Sequence, residues 1–320
     1  MRRLCQPLFL EYYSAAAAGE VCGLPSTVSL TGRRSTTGDD GSPGHVGGDR
    51  RWPTCKDRRV TVSDGTNFLG ATSRWVDGLG RLRDVVRQKL VAAQLSEVMA
   101  RQGVSPARVL DVGCGQGTQA LALARAGHQV TGLDISDELL AHFVAVLASE
   151  PASVRERVHL VLGSGQAAAE LTPGPFEVIL CHGVLMYLDD IEPMLGAFTR
   201  VAAPDAVLSL LVRNGLAPAM RDGLRGNWAD ALGRFDHLDY VNRLGVPAHA
   251  HTPDDVEHFL DPLGWRPQAW FGVRVFTDHR DEPVPDALEL EQLLAAEQQA
   301  GARDPYRQVA ALLHFTYIRS

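Results

Sequence analysis

Lysine is almost missing from this 320-residue chain. It occurs only at positions 56 and 89, so nearly all of the 31 basic residues are arginine. Against 38 acidic residues the formal net charge is −7, which excludes a polybasic protein that coats nucleic acid without specificity. Cysteine is sparse too. Cys5, Cys22, Cys55, Cys114 and Cys181 form no CxxC pair and no metal-ligand spacing. That argues against a disulfide or zinc scaffold and suits a reducing, cytoplasmic setting. No apolar run reaches about 18 residues, so no transmembrane helix and no membrane partner are expected. What remains is ordinary for a globular enzyme: 45% hydrophobic residues, 22% charged, and a length that fits one domain plus extras.

The averages hide a break near residue 70. Residues 1–70 hold 9 Lys+Arg and 7 Asp+Glu, whereas the remaining 250 hold 22 and 31. The first segment lacks periodicity, and Ser35–Asp49 (STTGDDGSPGHVGGD) is turn chemistry without a core. The opening MRRLCQPLFL is too short and too interrupted, by Pro7, Glu11 and Tyr12, to read as a signal peptide. Residues 1–70 are therefore expected to be a disordered tail, or a stretch preceding a valine start codon at Val60 or Val62. Residues 71–320 are expected to form the working domain.

In that domain strands and helices alternate. Helical spacing of Leu79, Leu82, Val86, Leu90 and Ala93 predicts a helix over 79–102. Strands are expected at Arg108–Val112, His128–Leu133, Val158–Leu162, Phe176–Cys181 and Ala206–Arg213. Helices fall between them, one closed by Gly127 and one opened by Ser136. This is the pattern of βαβ units and a doubly wound, mostly parallel α/β sheet. Asn214–Ala250 reads as an irregular insert after the fifth strand. A helix over Pro253–Leu263, a strand near Trp270–Phe276, a helix near Pro285–Ala300 and a strand near Ala311–Ile318 follow.

The most informative stretch is Val109–Gly117, VLDVGCGQG. A strand ends at Asp111–Val112, and Gly113, Gly115 and Gly117 then turn into a helix whose free N–H groups face a ligand. The spacing is GxGxG, not the GxGxxG of dinucleotide sites. Asp134 ends the next strand, 21 residues after Gly113, where an acid accepts ribose hydroxyls. No Lys, Arg or GK[ST] stands nearby to cradle a diphosphate. A nucleoside without a diphosphate fits S-adenosylmethionine better than NAD or ATP. No metal is implied.

VLDVGCGQG resembles motif I of the class I S-adenosylmethionine-dependent methyltransferases, HQVTGLDIS their second strand, and FEVILCHGVLMYLDD their fourth strand and the loop over the donor. By that resemblance the fold is a Rossmann-like seven-stranded sheet whose last strand inserts antiparallel. The likeness extends over residues 70–320. GRLRDVVRQKLVAAQL, LSLLVRNG, RGNW, GVRVF with Asp278, and Asp304-Pro305-Tyr306 are similar to segments of the bacterial tRNA 5-carboxymethoxyuridine methyltransferase family. The resemblance implies a donor site of Arg83, Gly113, Cys114, Asp134, Gly165, Gln166 and His182, with Asp111 and Gly115 of the glycine turn beside them. Arg83 would pair with the donor's carboxylate and Gln166 would read the adenine edge. His182 is either a ligand contact or a general base. Cys114 reads as a small filler rather than a nucleophile.

The acceptor implied by the family is the carboxylate of a modified wobble uridine in tRNA. A carboxylate with a pKa of roughly 4 is ionised at pH 7 and needs no base, but it needs a cation to bring it in. Arg213, at the carboxyl edge of the fifth strand, Arg274 in GVRVF, and Arg225 are the candidates; Arg274 alternatively pairs with an acid such as Asp278. Tyr187 and Trp228 are candidates to stack on a base. Over Gly233–Ala250, where the tRNA enzymes carry a lysine-rich run, this chain reads GRFDHLDYVNRLGVPAHA. Arg221, Arg225, Arg234 and Arg243 would have to supply any basic patch. The acceptor is thus either that tRNA nucleoside or a small metabolite.

Overall fold

The structure, a computed structural model, describes residues 65–72, 75 and 80–320. The expected tail lies outside these residues except for its last six. Thr66–Ala71 form a 3-10 turn, so the described fold begins before residue 71.

Helix α1 (Leu82–Arg101) buries Leu82, Val86, Leu90, Leu95 and Val98 along one stripe, the periodicity visible in the sequence. Then come β1 (Arg108–Val112), α2 (Thr118–Arg125), β2 (Gln129–Asp134), α3 (Asp137–Ala148), β3 (Val158–Leu162), β4 (Phe176–His182), α4 (Glu192–Val201) and β5 (Ala202–Arg213). Ser136 caps α3 as expected, its side chain accepting the Leu139 N–H at 3.2 Å. The C-terminal part adds α7 (Pro253–Leu260), β8 (Trp265–Val273), α8 (Ala287–Gly301) and β9 (Leu312–Arg319). The insert supplies α5 (Met220–Leu224), α6 (Trp228–Arg234) and the hairpin β6 (Asp239–Val241) and β7 (Pro247–His249).

The sheet has seven strands in the order β3-β2-β1-β4-β5-β9-β8. The first five are parallel, and β9 runs antiparallel between β5 and β8, pairing Ser209 with Thr316. Helices bury both faces. Phe176, Ile179 and Leu208 pack with Phe198 and Trp265 in one cluster, while Val109, Val178 and Leu180 pack with Leu95 and Phe143 in another. The doubly wound α/β fold class is as expected, and it brings the carboxyl ends of β1 to β5 to one edge, where ligands of open α/β sheets bind.

Two departures from the sequence reading have local causes. β8 starts at Trp265, five residues earlier than expected, and stops at Val273. It is the sheet edge, so Pro267 is tolerated there, and the register slips between Pro267 and Ala269. Arg274 consequently lies just past the strand, at φ 63°, rather than within it. The insert is not irregular: its helices of five and seven residues are too short to show a period.

Candidate active site

The turn between β1 and α2 is built on bare backbone. Gly113 has φ 70°, and a Cβ there would lie 2.2 Å from Val184 Cγ2. At Gly117, φ 87°, a Cβ would strike the Phe143 ring at 2.3 Å. Asp134 closes the turn from β2: its carboxylate accepts the Gly115 N–H at 2.7 Å and the Ser136 N–H at 2.9 Å. Burial pushes the Asp134 carboxyl up, opposed by these N–H groups. Asp111 is more deeply enclosed, and burial, reinforced by Asp134, raises it to about 7.

The turn borders a cavity that opens to solvent. Asp111, Gly113, Cys114, Gly115, Asp134, Gly165 and His182 all border it. Gln166 is the second residue of a 3-10 turn that starts at Gly165, its N–H donating to Ser164 Oγ at 3.3 Å; unlike Gly165 it does not border the cavity. Burial drives the Cys114 thiol well above its usual range, so it is no thiolate. His182 is held well below its usual range by burial and by His314. Its Nε2 lies 2.8 Å from Ser209 Oγ, and its Nδ1 is buried with no hydrogen-bond partner among the described residues.

Arg83 is not on this wall. It ion-pairs with Asp281 at 2.7 Å and donates to the Asp278 carbonyl at 3.1 Å, bordering a second, solvent-open cavity. Arg87, one turn further along α1, borders both cavities, as do Trp75, Gly183, Tyr187 and Leu211. The sequence reading missed Arg87, although its i+4 spacing from Arg83 puts the two on one helix face.

Seven arginine and four aspartate side chains border the second cavity. Arg213 and Arg274 both reach Asp278, each at 3.2 Å, and Arg221 follows at 3.7 Å. Burial alone would raise Asp278, but Arg274, Arg213 and Arg221 outweigh it and hold it at about 2. Burial lowers Arg274 to about 10, and its Nε has no hydrogen-bond partner among the described residues. Arg234 sits over the Tyr240 ring at 5.1 Å. Thus Arg221, Arg234 and Arg243 do gather, while Arg225 is drawn off to Asp281. Tyr187 is buried where the cavities meet; Trp228, 69% exposed, borders neither. Among the described residues no His, Cys, Asp and Glu group is arranged to hold a metal, and no helix is long and apolar enough to cross a membrane.

Fold and cavity together define a doubly wound α/β protein with a glycine turn and a buried acid at the carboxyl edge of its sheet. The comparisons agree. Residues 109–205 match the family model described as "Methyltransferase domain". The chain is 29% identical over 242 residues to the tRNA 5-carboxymethoxyuridine methyltransferase of Escherichia coli (strain K12), covering 74% of this chain and 89% of that one. It is 30% identical over 229 residues to the ubiquinone biosynthesis O-methyltransferase of Escherichia coli O157:H7, covering 70% and 86%. The magnesium protoporphyrin IX methyltransferase of Synechocystis PCC 6803, solved with SAH, shares the fold at TM-score 0.50 and 17% identity, over 80% of this chain and 97% of that one. The chain belongs to the class I S-adenosylmethionine-dependent methyltransferases, and its methyl donor is S-adenosylmethionine.

Proposed function

We propose that the enzyme methylates the carboxylate of 5-carboxymethoxyuridine at the wobble position of tRNA, a cytoplasmic reaction. The observation that carries this reading is the arginine-walled cavity meeting the donor cavity at Arg87 and Tyr187. An anionic acceptor matches that wall, despite the negative charge of the whole chain.

Asp134 would hold the ribose hydroxyls: each of its oxygens has taken one N–H and keeps a lone pair. With the ribose at the end of β2, adenine falls toward β3, at Gly165 and Gln166. The amino-acid end falls over β1 and β4, at Gly113, Cys114 and His182. Asp111 and Gly115 brace the turn between them. Arg87 is better placed than Arg83 for the donor's carboxylate, since Arg87, although paired with Asp84 at 2.8 Å, borders the donor cavity and Arg83 does not. Bound S-adenosylmethionine supplies an electrophilic methyl group on a sulfonium. Arg213 and Arg274, fixed on Asp278, would give the acceptor cavity its positive potential and orient the carboxylate. Orientation alone is worth up to about 7–11 kcal/mol in ideal cases. Burial keeps His182 neutral and weakly basic, which suits an acceptor already ionised at pH 7 better than a hydroxyl that must lose a proton.

A small anionic metabolite is the second reading. The hairpin over residues 239–249 favours it, because Arg243 is the only arginine or lysine there and Asp239 at its start offsets that charge. One experiment separates the two. In a deletion strain, digested tRNA should accumulate unmethylated 5-carboxymethoxyuridine by mass spectrometry. An unchanged nucleoside profile would overturn the tRNA reading in favour of the metabolite.

A further inference from the structure

Behind the donor cavity a row of polar side chains runs through the sheet to the first helix. His182 Nε2 at the end of β4 lies 2.8 Å from Ser209 Oγ on β5. Ser209 Oγ lies 2.8 Å from His314 Nε2 on β9, and His314 Nδ1 lies 2.7 Å from Gln94 Oε1 on α1. Ser209, His314 and Gln94 are all buried. The donor and acceptor roles in such a row are not independent of one another. The Gln94 carbonyl can only accept, so His314 carries its proton on Nδ1. A neutral His314 then has a bare Nε2, which takes the one hydroxyl proton of Ser209. The Ser209 oxygen accepts in turn from His182 Nε2–H, and His182 is left with an unprotonated Nδ1.

Three observations make this directional. Burial holds His314 at about 3, and His182 is likewise held far below its usual range, so neither ring is charged near neutral pH. Arg87, facing the same cavity, further disfavours a proton on His182. The Nδ1 lone pair at the end of the row is buried and has no partner among the described residues, a costly arrangement unless a ligand brings a donor to it.

We propose that Gln94, His314 and Ser209 are positioning residues that lock His182 in its Nε2–H form, so that its Nδ1 accepts a hydrogen bond from the α-ammonium group of the methyl donor. This rests on the reading above that sets the donor's amino-acid end over β4. That end offers one hydrogen-bond donor, the ammonium, and Nδ1 is an acceptor only. The row therefore selects for the amine of the cofactor and product, and it does so with uncharged groups.

The test uses the full chain with ¹⁵N-labelled histidine, and S-adenosylhomocysteine beside its analogue lacking the α-amino group. In long-range ¹H–¹⁵N spectra His182 should show the Nε2–H form, and its Nδ1 signal should move with S-adenosylhomocysteine but not with the deaminated analogue. By calorimetry the wild type should prefer the aminated ligand by about tenfold or more. Ser209→Ala, which cuts the row beside His182, and Gln94→Leu, which cuts it at the far end, should each reduce that preference to about twofold. Both should bind the deaminated analogue as the wild type does. A merely structural role would weaken both ligands equally, and that result would overturn the proposal. So would an unaltered His182 tautomer and preference in Ser209→Ala, provided His182→Phe abolishes the preference. If His182→Phe itself keeps the preference, the placement of the amino-acid end on His182 fails, and the row's role fails with it.

Discussion

The Asp134 carboxylate accepts the Gly115 N–H at 2.7 Å, so the acid at the end of β2 is tied to the glycine turn at the end of β1. One side chain thereby fixes the turn, and in the function proposed above its remaining lone pairs would take the ribose hydroxyls. Asp134→Ala should remove two charge-assisted hydrogen bonds to the ligand, each worth about 1.5–3 kcal/mol, and release the turn as well. The expected outcome is a loss of donor affinity on the order of 100-fold or more in titration calorimetry. An unchanged dissociation constant would remove Asp134 from the donor site.

Gly113 is constrained twice over, by its φ of 70° and by Val184 Cγ2, which a Cβ would meet at 2.2 Å. Gly113→Ala should therefore lower both the melting temperature and donor affinity. Pairing it with Val184→Ala should restore part of the loss. The overlap disappears in the double variant, while the left-handed backbone still costs about 1–2 kcal/mol. If the double variant is no better than the single one, the contact with Val184 is not what demands glycine. Thermal unfolding with and without S-adenosylhomocysteine measures both effects.

How much of this was legible in the sequence depends on the distance over which each feature is encoded. The glycine turn, Asp134 and the Ser136 cap are local signals, and the structure has them where the spacing puts them. Arg274 was legible as a buried cation needing a partner, and Asp278, four residues on, was named as an alternative partner; that alternative is the contact formed. The arginine cavity was only half legible. Arg213, Arg221 and Arg243 come from a strand end, a short helix and a hairpin loop, and only tertiary folding brings them together. The polar row from Gln94 to His182 was not legible at all, since its partners are 220 and 105 residues apart and each alone reads as a core residue.

Asp111 gives a pH signature with a definite sign. Its carboxyl is raised to about 7 in the folded protein, mainly by burial and then by Asp134, against an ordinary value of 3.8. A raised group contributes stability that is fully present below the unfolded value and is lost as pH climbs through the folded one. In the ligand-free protein, stability should thus decline between about pH 4 and pH 7 through this group, by an amount on the order of 4 kcal/mol. Asp111→Asn should abolish that slope, gaining on the wild type as pH rises and levelling off above about pH 7. Urea midpoints of both proteins at pH 4, 5.5, 7 and 8 provide the check. Parallel curves would mean that Asp111 titrates normally.

Asp278 works in the opposite sense. It is the common anion for Arg213, Arg274 and Arg221, and it is held at about 2 because these cations outweigh its burial. Removing one member of a buried charge cluster leaves the others uncompensated, which typically costs about 3–5 kcal/mol. Asp278→Asn should lower stability by that order near pH 7. A depressed carboxyl contributes stability present above its unfolded value and lost as pH falls through its folded value, so the gap should be constant from about pH 5 upward and narrow between about pH 4 and pH 2. The same substitution frees Arg213 and Arg274 to attract anions, so the least stable variant should bind an anionic acceptor at least as well as the wild type. Acceptor KM and denaturation midpoint should therefore move independently. A variant that lost both together would show that Asp278 is needed to aim the arginines at the acceptor and not only to neutralise them.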